Sequence, residues 1–234
     1  MFAKTTRGRR AVLALACATL LAACATPPPP PEAPQAATAF DVPDGFYRRA
    51  EAQGQKVWRI DAPASLISIT VRRAGALARL GHDHVVASRN INGFVAPRAG
   101  RADFQFRPDQ LSVDEALLRA EAGLDTQPSA DAIEGTRRNM LTRVLDAQRF
   151  PVVLVHVTQA APDAPIKAAI TLHGVTRNVD IAARSEARGD GIIVSGTLSL
   201  NQSDFGIVPF SVLGGAIAVQ DQLELRFRIV AGHP

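Results

Sequence analysis

The stretch that decides the fold runs from Ile166 to Ile207, IKAAITLHGVTRNVDIAARSEARGDGIIVSGTLSLNQSDFGI. Ile170 and Leu172 share one parity, and so do Val179, Ile181 and Ala183 after the turn around Gly174. Beyond Gly189-Asp190-Gly191 the same holds for Ile192, Val194, Gly196, Leu198 and Leu200. Their neighbours Asn178, Asp180, Arg184, Ser195, Thr197 and Ser199 are polar. Period-two alternation sends one set to each face of a sheet, whereas a helix would smear the pattern around its circumference. Asp-Gly between two such runs signals a hairpin. These are antiparallel strands with one buried and one solvated face, curled around an interior.

The same alternation recurs outward from this stretch. Towards the N-terminus, Trp58 and Ile60, then Ile67, Ile69 and Val71, share parities, with Ser68, Thr70 and Arg72 as polar complement. Gly75 to Leu80 reads as a loop or short helical turn. His84 to Ala96 reads as a strand broken at Asn92-Gly93. Phe104 and Phe106 belong to another strand, which Pro108 ends. Val153, Val155 and Val157 share a face, with His156 on the wet one. At the C-terminus Ala216 to Val219 is followed by Leu223, Leu225, Phe227 and Ile229. Two helices interrupt the strands. Asp114 to Glu121 is short and stops at Gly123. Asp131 to Gln148 carries one apolar stripe of Ile133, Met140, Leu141, Val144 and Leu145, with Ser129 as its N-cap. Pro151 ends it. The expected fold is mainly β, an antiparallel barrel of about eight strands with one main amphipathic helix and one short helix.

Hydrophobic residues make up 47% of the chain, which excludes global disorder. The formal charge of +4 does not indicate a nucleic-acid partner. Lys4, Arg7, Arg9 and Arg10 lie in the first 23 residues, which contain no acid, and the rest of the chain is formally neutral. Residues 1–23 read as a secretory signal, a basic start followed by the apolar Ala11 to Leu20. Leu21-Ala22-Ala23-Cys24 resembles the lipobox of bacterial lipoproteins, which implies cleavage before Cys24 and acylation of that residue. Ala25 follows where an Asp would retain the protein at the inner membrane, so the resemblance points to the outer membrane, facing the periplasm. Cys17 lies in the discarded segment, and no pair is left for a disulfide. Residues 24–56 are a lipidated Cys, a Pro- and Ala-rich tether and a lead-in. At about 3.1 Å per residue the tether reaches roughly 60 Å. The barrel domain spans 57–232.

Leu172-His173-Gly174-Val175-Thr176-Arg177 with Val179-Asp180-Ile181, then Ser203-Asp204-Phe205-Gly206-Ile207, resemble the YceI family. The resemblance covers about Val57 to Val230. It implies a lipocalin-like barrel whose elongated apolar interior holds a polyisoprenoid lipid or quinone, with no required cofactor. Typical members carry a Lys-His pair at the end of the Ile67–Val71 strand. Here Arg72-Arg73 stands in its place, followed by Gly81-His82-Asp83-His84, which marks a divergent branch. The expected cavity residues are Ile67, Ile69, Val71, Phe104, Phe106, Val155, Ile170, Leu172, Val194, Leu198, Leu225 and Phe227. Gly196, Ala168 and Ala218 would spare interior volume. Arg72, Arg73 and Arg79 form a basic cluster suited to a lipid headgroup, against the simpler reading of a solvated rim.

The alternative chemistry is metal binding. On an extended segment His82 and His84 share a face, and His173 is the remaining candidate third ligand. The plainer reading makes these a polar loop at the barrel mouth. Ser65, Ser68 or Ser88 with a His and Asp83 lack a nucleophile elbow, so no catalytic constellation is expected. Asp103, Asp109, Asp114 and Glu115 read as turn and helix-start residues. A third reading is a solid barrel serving as an envelope interaction or stress-protection module. The partners expected are an apolar lipid and, through the acyl anchor, a membrane.

Overall fold

Alternating Val, Ile and Leu in runs bounded by Gly and Pro form one antiparallel sheet of thirteen strands among the described residues. The computed structural model describes residues 44–124, 126–161 and 164–232. The signal segment, Cys24 and the Pro-rich tether lie outside them. The strands are β1 (Trp58–Ile60), β2 (Leu66–Ala74), β3 (His84–Ser88), β4 (Asn92–Ala96), β5 (Arg101–Phe106), β6 (Ser112–Val113) and β7 (Val153–Thr158). They continue as β8 (Ile166–Leu172), β9 (Val175–Ile181), β10 (Ala183–Arg188), β11 (Gly191–Asn201), β12 (Ser211–Val212) and β13 (Ile217–Gly232).

Neighbours run β6-β3-β2-β13-β1-β4-β5-β7-β8-β9, and β13 pairs along its other edge with β11, which pairs with β10. β9 and β10 are one strand bent at Ala182. Its first half pairs with β8 and its second half with β11. The ring is therefore joined at Ala182 by the chain, and no ladder closes it between β9 and the C-terminal half of β11. The closed barrel is corrected to an open, curled sheet. The count of about eight strands also changes. Strands such as β6 and β12 are too short to show a period, and one expected strand is divided at a corner. There β2 and β1 share one edge of β13, and Ser65 bridges the step between them, accepting from Val230 N at 2.9 Å. At the other extreme, the two last expected strands merge into the sixteen-residue β13, with a bulge between Val219 and Leu223.

Asn92-Gly93 does not break a strand. The break falls at residues 89–91, and Gly93 sits inside β4, where a Cβ would meet Phe104 Cβ at 2.5 Å. The lead-in is a helix, α1 (Asp44–Ala52), whose Tyr47 and Ala50 are buried against Val57 and Ala96. α2 (Ala116–Glu121) packs Leu118 on Val85 and Ala87, the face of β3 opposite Val86. The main helix is shorter than expected. α3 (Ala130–Asn139) is capped by Ser129, whose hydroxyl accepts from Ala132 N at 3.2 Å. It then widens into a π turn over Met140–Val144, closed by Leu145 N donating to Met140 O.

Candidate functional site

The inner faces of the strands enclose a cavity of about 660 Å³. Its wall is built by parity: Ile67 and Ile69 from β2, Phe104 and Phe106 from β5, Val155 from β7, and Ile170 and Leu172 from β8. Val194 and Leu198 from β11 and Leu225 and Phe227 from β13 complete the expected set. Val71 shares their parity but does not line the space. It pairs with His84 and Leu223, and of these two only Leu223 lines the cavity. The residues expected to spare volume do not line it either. Gly196 is covered by the Phe227 ring, whose Cζ would lie 2.8 Å from an added Cβ, Ala168 is buried in the wall, and Ala218 pairs with Ser211 and Ala74. Met140, Val144 and Leu145 of the π-turn segment also line the cavity, whereas Ile133 does not.

Polar groups are few. Arg98, Arg101, Gln159 and Ser185 line the cavity beside Pro97, Ala160, Ala161 and Ile192, which come from strand ends and turns and form its rim. Gln202 also borders the cavity, and its Nε2 is satisfied by Gln220 O at 2.8 Å. The rim is one feature that sequence reading missed, since a single Arg after Pro97 carries no period. The expected basic cluster lies elsewhere. Arg72 pairs with Glu224 at 3.5 Å and Asp83 at 3.9 Å. Arg73 donates to Gly81 O at 3.1 Å and pairs with Asp83 at 3.8 Å. Arg79 is exposed, and none of the three lines the cavity.

The metal triad does not assemble. The rings of His82 and His84 are 6.2 Å apart, while His173, in the β8–β9 turn, lies against Phe150 with the rings tilted by 55° and centroids 4.4 Å apart. Both nitrogens of His84 are engaged. Nδ1 lies 2.6 Å from Asp114 Oδ2 and, facing an acceptor-only carboxylate, carries the proton. Nε2 lies 3.4 Å from Thr136 Oγ1. Among the described residues no group of three or more His, Cys, Asp or Glu could hold a metal ion.

Two acids read as turn residues are instead centres of buried networks. Asp114 sits at φ 57°, a strained conformation for a non-glycine residue. It accepts from Val85 N at 3.0 Å, His84 and the fully buried Arg119, and Arg119 also donates to Asp83 O and Thr126 O. Burial pushes the Asp114 carboxyl up, and the His84, Val85 N–H and Arg119 contacts outweigh it and hold the group below the usual range. Asp103, on the outer side of β5, accepts from Tyr47 Oη at 2.7 Å, Arg101 Nε at 2.7 Å and His156 Nδ1 at 2.5 Å. Burial raises it and these three donors lower it, with a net depression. Burial, with Asp103 beside it, pushes the Tyr47 phenol well above its ordinary value, so it stays a donor. Arg101 carries this network to α1, its guanidinium lying over the Phe46 ring at 4.3 Å.

The family profile of the YceI-like domain matches residues 58–231. The chain belongs to the YceI family. Solved structures similar to this YceI-family chain include a polyisoprenoid binding domain from Saccharophagus degradans implicated in plant cell wall breakdown. It is 13% identical, with a TM-score of 0.54, covering 76% of this chain and 98% of that one. Burkholderia cenocepacia BcnA is 13% identical, with a TM-score of 0.52, covering 73% and 98%. At these identities the likeness establishes the lipocalin-like fold. No curated protein matches the chain significantly.

Proposed function

We propose that this YceI-family protein holds a long apolar lipid, a polyisoprenoid or an isoprenoid quinone, by burial and without catalysis. In this reading it is an exported lipoprotein, acylated at Cys24 and facing the periplasm from the outer membrane. The observation that carries the reading is the 660 Å³ cavity walled by Ile, Val, Leu and Phe. A volume of that order accommodates a ligand, and a wall with so few polar groups selects an apolar one. A hollow interior argues against the solid interaction module. Burying about 200 Å² of isoprenoid chain supplies about 5 kcal/mol before ordering costs. The polyisoprenoid binding named for the Saccharophagus degradans domain agrees with this class of ligand. The headgroup stays at the rim, where exposed Arg98 makes no salt bridge among the described residues, instead of at Arg72, Arg73 and Arg79.

The test is extraction of the protein from its own membrane into organic solvent, followed by mass spectrometry. A polyprenyl species is expected, and Ile170→Trp, which fills the cavity, removes it while circular dichroism stays unchanged. A chain that yields no apolar ligand, and whose melting does not move when polyprenyl lipid is added, sinks the reading. The anchor is tested separately by incorporation of labelled palmitate, lost in Cys24→Ser.

A further inference from the structure

Four large apolar side chains stand exposed among the described residues: Leu80 at 62%, Leu117 at 79%, Val208 at 80% and Leu213 at 71%. Leu117 stands on α2. The other three belong to two segments, the β2–β3 connection and the run on either side of β12. These segments are joined. Leu77 N donates to Ala216 O at 2.7 Å, and Gly75 lies so close that a Cβ there would meet Ala216 O at 2.4 Å.

The backbone holds Leu213 outward at a cost. Its φ is 52°, and Gly214 and Gly215 follow at 64° and 89°, three left-handed residues in a row. A leucine in that region is strained, and at 71% exposure little burial among the described residues offsets the strain. Two arginines beside these residues have no carboxylate partner among the described residues. Arg79 precedes Leu80, is exposed, and makes no hydrogen bond or salt bridge among the described residues. Arg143 lies over the Phe210 ring at 4.8 Å and has no carboxylate partner among the described residues. Of the acids, Asp83 is ion-paired with Arg72 and Arg73, whereas Asp221 and Asp204 are held by hydrogen bonds from the neutral Ser203 and Asn201. Arg143 also belongs to the π turn whose neighbours Met140 and Val144 line the cavity, so this tip is continuous with the cavity wall.

We infer that Leu80, Val208 and Leu213, flanked by Arg79 and Arg143, dock the domain onto the surface of an anionic lipid bilayer. Apolar side chains enter between the lipids while arginine stems lie along them with their heads at the phosphates. A second copy of the chain is the competing occupant, and the concentration dependence below separates it from a bilayer. The inference rests on the lipid-carrier reading for its purpose, but not for its test.

The test uses the full chain mixed with vesicles of phosphatidylcholine and phosphatidylglycerol carrying brominated acyl chains. The sole Trp, Trp58, is left in place and its signal subtracted. Leu213→Trp and Leu80→Trp should shift to the blue and be quenched by the brominated chains, while Leu117→Trp reports the solvent-facing control. Adding Arg79→Ala to the Leu213→Trp chain should lower the docked-to-free ratio about fivefold in anionic vesicles, the effect of one arginine near such a surface. Equal quenching at positions 213, 80 and 117 overturns the inference. So does an emission shift that arises without vesicles and grows with protein concentration, which would mean contact between copies. An empty cavity on extraction would leave these readouts standing, and absent quenching would leave extraction standing.

Discussion

Asp103 and Asp114 are both buried acids outside the cavity, each with three donors, yet their donors differ in what else they can reach. Arg101 and His156 beside Asp103 keep part of their surface in water. Arg119 beside Asp114 is fully enclosed and has no water to fall back on. Removing the acid from the first network frees its partners to rehydrate. Removing it from the second leaves a buried cation unpaired. The two acids accept from equal numbers of donors with unequal consequences, because the energy of breaking a pair is set by the group left behind.

That contrast can be broken in several ways. The largest effect is expected for Asp114→Ala, a loss of about 3–5 kcal/mol in urea unfolding. A double variant that also carries Arg119→Met should recover much of it, since the orphaned charge is gone. Asp103→Ala should cost less, about 1–3 kcal/mol by the same measurement. If it costs as much as Asp114→Ala, the distinction drawn from exposure is wrong. Tyr47→Phe removes one donor from Asp103 and should cost about 1 kcal/mol, read as a lower unfolding midpoint with an unchanged slope.

Acid titration gives the gentlest probe. Both carboxyls are held below their ordinary range, so their stabilisation is fully present above the unfolded value of about 3.9. It is lost as pH falls further and passes through the folded values. Stability measured against pH should therefore decline below about pH 4. The decline should be shallower in Asp103→Asn, and an unchanged profile in that variant would remove Asp103 from the account.

The cavity wall was legible because parity is a local property. Ile67, Ile69, Val194, Leu198, Leu225 and Phe227 reveal their common face through their immediate neighbours alone. Val71 obeys the same parity and still misses the space although its partner Leu223 lines it, so parity assigns a face but not a place along the cavity. The polar networks were not legible. Asp103 meets Tyr47 from 56 residues away and His156 from 53, and neither spacing leaves a periodic trace. Arg72 and Arg73 resembled a free basic cluster because nothing in their own segment shows that Asp83 folds back onto both. The helix ran long in the sequence reading because its apolar stripe continues through Met140 and Val144, and a widened turn keeps such a stripe apolar while changing its aim.

The bend at Ala182 gives the tube a seam bridged by the chain itself. A fully laddered cylinder can change girth only by severing rungs. Here the two halves of one strand belong to different neighbours, so the angle between them can open or narrow while every rung on either side stays intact. A change of girth at that seam would break no ladder hydrogen bond.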